Sequence, residues 1–176
     1  DGGGRFLRSS TFYEDFVKTI CTVNTNWSST KRMVTLLVEE IGNGVFPTPL
    51  MIADCGEAAL RQRCKLGFRS PVLMNATTEL LSEHVISDSG DLRPGGISYQ
   101  ELLSIRGVGP YSASHVAMLE HDFSHIPVDS EVSKYCEEKY LLKPDQVAGF
   151  FESWGDYRFL GYKLSRILDQ RNWIGG

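Results

Sequence analysis

Two short stretches carry residue types whose spacing could do chemistry: Gly107-Val108-Gly109, and Asp129 in Pro127-Val128-Asp129, twenty positions beyond the second glycine. Glycines let a backbone bend, and be approached, where a side chain would stand in the way. The bare amides of a G-V-G turn can therefore face an anion. Pro110 suits the first turn of a following helix, whose unpaired N–H groups and positive dipole end favour the same charge. Asp129 precedes Ser130-Glu131-Val132 and stands at the mouth of another helix, where it is either an N-cap or a carboxylate held for reaction. Such a carboxylate can stabilise the positive charge that develops on a sugar as a glycosidic bond breaks, and can orient the attacking water. Taken singly, the two stretches read as a tight helix connection and a cap.

The elements that would position these groups read as helices. Phe12, Phe16 and Ile20, with Tyr13 and Val17, recur at helical spacing and predict a helix ending near Cys21. Residues 22–27 follow as a polar link containing Trp27, and residues 28–30 offer N-caps for a helix through Met33, Leu36, Leu37 and Ile41, stopped by Gly42. Thr48-Pro49 restarts the chain, with short helices over 49–54 and 57–65 and Gly67 as the stop. Ser70-Pro71 opens a helix through Leu73, Leu80, Leu81 and Val85; residues 88–96, rich in glycine, are a surface loop. Helices over 99–105 and 110–120 flank the G-V-G, followed by 130–140, one begun at Pro144, and a last one near 154–168. No segment alternates as a half-buried strand does. The expectation is an all-α fold of nine or ten helices.

At 176 residues and 41% hydrophobic content the chain can bury a core in one domain or two small lobes without metal or disulfide staples. No apolar run approaches the roughly 18 residues of a membrane span, and the opening DGGGRFLRSS, which looks like a trimmed end, lacks a signal peptide's apolar centre. An intracellular protein without a membrane partner is expected. Cys21, Cys55, Cys64 and Cys136 are scattered, with no C-x-x-C pair, and suggest reduced thiols rather than a zinc ribbon or a disulfide framework. The net charge of −4 argues against a nonspecific nucleic-acid coat. A local basic groove remains open to Lys31, Arg32, Arg61, Arg63, Lys65, Arg69, Arg106 and Lys134.

The central stretch Leu102-Leu103-Ser104-Ile105-Arg106-Gly107-Val108-Gly109, a small residue soon after, and then Val128-Asp129 resembles the helix-hairpin-helix (HhH-GPD) DNA glycosylase superfamily, related to endonuclease III and to mismatch and alkylbase glycosylases. Less specific likeness runs from about Phe12 to Trp173, through L-G-F-R at 66–69 and W-G-x-Y-R-x-L-G-Y at 154–162. The resemblance implies two helical lobes with a DNA-binding cleft between them: residues 10–123 with the hairpin, and 124–176, with 1–9 as a candidate addition, carrying the aspartate. Some relatives hold a four-cysteine iron–sulfur cluster after the catalytic region. No cysteine follows Cys136, so no cluster and no required cofactor is expected.

Carried over residue by residue, the resemblance makes Asp129 the catalytic carboxylate and Gly107, Val108, Gly109 and Tyr111 the clamp on the DNA backbone. Lyase-active relatives place a lysine where this chain has Tyr111, and a phenol cannot form a Schiff base, so a monofunctional enzyme is implied. Tyrosine there also occurs in relatives that remove thymine or uracil opposite guanine, the leading substrate expectation. Packing between helices is the plain alternative for Tyr111. Asn24 or Thr25 would fill the gap left by the extruded base, and Trp27 would stack on that base or pack in the core. The backbone carbonyls of Leu103, Ile105 and Val108 would hold a K+ or Na+ at the hairpin. His121 and His125 lack a third metal ligand and read as loop histidines; Trp154, Tyr157 and Arg158 are secondary pocket candidates. The expected partner is double-stranded DNA with a damaged or mismatched base, met by a monomer. The rival readings are a noncatalytic DNA-binding module and a glycosylase/lyase using another amine, such as Lys134.

Overall fold

The computed structural model describes residues 6–174. Among these, two 3-10 segments, Pro144–Gln146 and Glu152–Tyr157, accompany nine α-helices: α1 (Phe12–Thr22), α2 (Trp27–Glu40), α3 (Pro49–Gln62), α4 (Arg69–Ser82), α5 (Tyr99–Ser104), α6 (Pro110–Leu119), α7 (Ser130–Tyr140), α8 (Val147–Phe150) and α9 (Arg158–Ile174). An isolated bridge between Ile86 and Leu92 is the nearest approach to a strand in the described residues. The fold class is all-α, as the periodicity predicts.

Local chemistry sets most helix ends. Thr11, Asn26, Thr48, Ser98 and Asp129 each accept a backbone N–H of the first turn they precede. Ser98 and Glu101 complete a reciprocal capping box. Asn26, rather than residues 28–30, caps α2, because its Oδ1 reaches the Ser29 N–H at 2.9 Å. Trp27 therefore belongs to the helix, and the link shrinks to residues 23–26. Within α3 the expected pair of short helices is present, separated at Gly56, whose φ of +75° no helix accommodates.

Two further expectations need correction. The segment begun at Pro144 is a 3-10 turn, Pro144–Gln146, followed by a single α turn, too short for a full helix. The last helix starts at Arg158 instead of Trp154, because Gly155 takes φ +54° and the Trp154 ring folds back onto Gly161, where a Cβ would come within 2.5 Å of it. Trp154 is thus a packing residue of the α9 entry.

Two apolar cores divide the chain. The first gathers Phe16, Val17, Leu37, Ile52, Leu60, Leu73, Leu80 and Leu102 from α1 to α5 together with Ala113, Val116 and Ala117 of α6. The second gathers Met118 and Leu119 from the end of α6 with Ile126, Val132, Cys136, Phe151, Phe159 and Tyr162. Helix α6 therefore crosses from one core into the other without a break. The N-terminal strap crosses back: Phe6 packs on Phe123 and Phe159 at ring distances of 5.9 and 5.5 Å, while the Ser9 N–H donates to the buried Asp15 carboxylate at 3.0 Å. A third tie is His125, stacked on Tyr99 of α5 at 3.6 Å. No helix of the described residues is long and apolar enough to cross a membrane.

Candidate active-site cleft

The turn between α5 and α6 is built around Gly107, with φ +91° and the position of its missing Cβ only 2.7 Å from Val72 of α4. Both the dihedral and the contact demand glycine there. Gly109 is different. It is the N-cap of α6 with φ −92°, and an added Cβ would meet nothing within 4 Å. The Ile105 carbonyl closes the turn by accepting the Val108 N–H at 3.0 Å, while the side chains of Ile105 and Val108 are buried as anchors. Arg106, Gly107, Gly109 and Pro110 remain exposed, so the outer face of the hairpin is backbone amide plus one guanidinium.

Asp129 caps α7 with one oxygen and keeps the other available. Its Oδ1 accepts the Val132 N–H at 2.7 Å, and its own carbonyl accepts from Ser133 N and Oγ at 2.9 and 2.7 Å. Oδ2 has no protein partner among the described residues, and the residue is exposed. Glu131, two positions on, is engaged by Arg166 at 3.3 Å, an ion pair that Asp129 lacks.

A cleft of about 790 Å³ reaches Asp129 and Tyr111, while Gly107, Val108 and Gly109 lie outside its lining. Asn24, Thr25 and Trp27 line one side, Tyr111 and Asp129 the other, with Glu131 at the edge. Asn24 is exposed at the tip of the α1–α2 turn with φ +48°, a conformation asparagine tolerates better than most residues. Trp27 is 69% exposed, which removes the core-packing alternative. The Tyr111 hydroxyl is 3.4 Å from Thr22 Oγ1, a weak tether that leaves its ring half-exposed in the cleft. The turn that carries Asn24 is held from behind by Arg69, which donates to the Val23 carbonyl, and to the Leu66 carbonyl at 3.4 Å, with its guanidinium 4.4 Å over the Phe68 ring. Burial pushes the Arg69 pKa down.

The basic groove is correspondingly smaller than the sequence allows. Arg69 is buried, Arg61 and Arg63 are paired with Glu57 and Glu40 at 2.7 and 2.9 Å, and Lys134 faces Glu138 at 4.0 Å on α7. Lys31, Arg32, Lys65 and Arg106 have no ion pair among the described residues. Lys134 is absent from the cleft lining and its side chain is 69% exposed. Trp154, Tyr157 and Arg158 likewise lie outside the cleft lining; Arg158 reaches the Ser124 carbonyl at 3.5 Å. His125 contacts Ser124 Oγ at 2.8 Å and Tyr99, a structural loop histidine. Among the described residues no group of three His, Cys, Asp or Glu side chains could hold a metal.

Behind Asp129 opens a smaller pocket of about 320 Å³, between α6, the start of α7, α9 and the strap, with Phe6, His115, Phe159, Lys163 and Arg166 in its walls. Sequence reasoning missed His115, Lys163 and Arg166. His115 stands one turn beyond Tyr111 on α6, a spacing that could have flagged it. Lys163 and Arg166 come from the far end of the chain, and nothing local marks them. Burial lowers the His115 pKa, and the nearby Asp129 charge offsets that only in part.

No protein-family model matches the chain, and no curated protein sequence matches it. Solved structures do. The apo-form of Clostridium acetobutylicum 8-oxoguanine glycosylase/lyase superposes with TM-score 0.71 and 21% identity over 89% of this chain and 59% of that one. MBOgg1 in complex with a low-affinity DNA ligand gives 0.74 and 21% over 90% and 59%. The 3-methyladenine DNA-glycosylase from Archaeoglobus fulgidus gives 0.65 and 17% over 90% and 58%. The fold is thus the all-α helix-hairpin-helix glycosylase fold. The chain spans less than two thirds of the length of these structures.

Proposed function

We propose that the protein is a monofunctional DNA glycosylase, acting as a monomer on double-stranded DNA, that extrudes a damaged or mismatched base and hydrolyses its N-glycosidic bond to leave an abasic site. The observation that carries this reading is the free Oδ2 of Asp129, held in an open cleft whose facing residue on α6 is Tyr111 in place of an amine. As the base departs, cationic character grows on the deoxyribose, and a carboxylate with one oxygen fixed and one open can stabilise it without reorganising. The same oxygen can accept a proton from the incoming water. Glu131, paired with Arg166, is the poorer candidate.

The hairpin supplies the grip. Its exposed glycines, Gly107 and Gly109, and the N-terminal end of α6 suit a phosphate, and Gly109 leaves room for one to approach the backbone. Asn24 and Thr25 are placed to enter the space that the base vacates, and Trp27 offers a stacking face. A monovalent cation such as K+ or Na+ fits the hairpin by its donor set. The carbonyls of Leu103, Ile105 and Val108 are neutral oxygens, and that of Ile105 keeps a second lone pair beside its bond to Val108. Such an ion would add positive charge next to the phosphate; the hydrolysis does not depend on it.

A screen of duplexes holding uracil, thymine opposite guanine, hypoxanthine, oxidised guanine and alkylated purines, read for abasic sites after alkali and for borohydride-trapped adducts, tests the proposal. Base release with no trapped adduct is expected on at least one duplex. Binding without release on every duplex would leave a noncatalytic DNA-binding module, and a trapped adduct would make the enzyme a lyase.

A further inference from the structure

The pocket behind Asp129 has a charge pattern that selects among bases, an inference that rests on the glycosylase reading above. Its cations are Lys163 and Arg166 and its anions Asp129 and Glu131. The four are not equally available. Arg166 is held between the Tyr162 hydroxyl at 2.9 Å and Glu131 at 3.3 Å, so those two charges largely answer each other. Asp129 lines both this pocket and the larger cleft; its Oδ1 is spent on α7, and the glycosylase reading assigns its Oδ2 to the sugar. That leaves Lys163, half-buried on α9, which has no hydrogen bond or ion pair to a protein group among the described residues and is steadied by the Phe159 ring, 6.0 Å from its Nζ. His115 forms another wall. Burial keeps its imidazole below the ordinary range, so near neutral pH it offers one N–H donor and one acceptor.

We propose that Lys163 is a specificity-determining residue that donates to a carbonyl oxygen of the extruded base, so that the pocket takes a neutral, carbonyl-bearing base and turns away a cationic alkylated purine. Uracil, thymine, hypoxanthine and oxidised guanine all present such an oxygen, and an ammonium-to-carbonyl bond is stronger than a neutral one. An N-alkylated purine would set its own positive charge against Lys163, while the Asp129 carboxylate is taken up by the sugar on the reading above. The aromatic faces of Phe6 and Phe159 serve any flat base, so discrimination falls to the ammonium.

The test uses the full chain in single-turnover reactions on duplexes holding uracil, hypoxanthine or 7-methylguanine, comparing wild type with Lys163→Met, Lys163→Glu and Lys163→Arg. Wild type should release the neutral bases uracil and hypoxanthine faster than 7-methylguanine, which keeps a carbonyl oxygen but carries a positive charge. Lys163→Met should lower their release about tenfold or more, the loss of one charge-assisted bond, with affinity for a duplex bearing an abasic analogue unchanged. Lys163→Glu should shift the ratio toward 7-methylguanine, and Lys163→Arg should restore the original preference. A wild type that favours 7-methylguanine, or a ratio indifferent to Lys163→Met and Lys163→Glu, overturns the proposal. Failure of the glycosylase reading is separable by binding to duplexes whose 2′-fluorinated nucleotide keeps its uracil. If no duplex loses a base, that reading falls, and the binding arm judges Lys163 alone. Lys163→Met must then weaken the fluorinated uracil duplex relative to the abasic-analogue duplex, and no relative change overturns the inference.

Discussion

Asp129 splits its duties between two oxygens, and that division makes its role measurable. Asp129→Asn keeps an oxygen for the Val132 N–H but loses the negative charge, so base release should be abolished while DNA affinity and thermal stability stay near wild type. A loss under about tenfold, roughly 1.4 kcal/mol of barrier, would reduce Asp129 to a helix cap. Tyr111→Lys places a primary amine across the same cleft, and borohydride should then trap a covalent adduct that the wild type does not give. A wild-type adduct that disappears in Lys163→Met would instead identify the one lysine in the pocket wall as the nucleophile. His115 supplies a pH signature. Burial holds its folded pKa below the ordinary value of 6.5, so between the two values the unfolded chain binds more protons than the native one. The contribution is fully present above about pH 6.5 and declines as pH falls toward the folded value. His115→Gln should flatten that acid-side slope in unfolding melts, without abolishing it, because burial depresses His125 as well.

At the scale of elements, the hairpin's two glycines answer to different demands. Gly107 is fixed by the protein itself, through φ +91° and Val72, so Gly107→Ala should cost about 1–3 kcal/mol of stability in denaturant melts. Gly109 is unconstrained from within, so Gly109→Val should change stability by less than about 1 kcal/mol yet weaken binding to duplexes of every sequence alike, as loss of a phosphate contact does. Equal affinity of Gly109→Val and wild type would place the phosphate elsewhere. The helices themselves were largely legible, because apolar spacing and caps are local signals: α7 runs over the expected 130–140, and α5 and α6 fall within a residue of their expected ends. The misses have local causes too. Asn26 outcompetes the serines that follow it, and Gly155 breaks a helix that the composition of 154–168 would permit. The extent of a basic groove was not legible, because a formal charge does not tell whether its side chain is buried, as Arg69 is, or already paired, as Arg63 is.

Across the whole molecule, Tyr111, Asp129 and the α1–α2 turn meet on one cleft, with the hairpin glycines outside its lining, whereas the second pocket depends on α9, some thirty residues past Asp129, where no motif points. Chain-distant walls are what a single sequence conceals, since their meeting is decided by packing of the second core. That packing also fixes how the molecule can respond to DNA. Helix α6 contributes Ala113 and Val116 to one core and Met118 and Leu119 to the other, and the strap from Phe6 to Ser9 recrosses the boundary. A hinge between the lobes would have to break hydrogen bonds inside a continuous helix or pull Phe6 from its aromatic cluster. On the proposed function the two cores would thus be set before a duplex arrives, and the nucleic acid would have to conform, kinking to present a sugar to Asp129. End-to-end dye distances on a short duplex should shorten on binding, while a dye pair spanning the two lobes reports no change. Mispaired or damaged positions, where stacking is already weakened, yield most cheaply to such a die, so stiffness of the fold would itself act as a first filter on which nucleotides are tested at all.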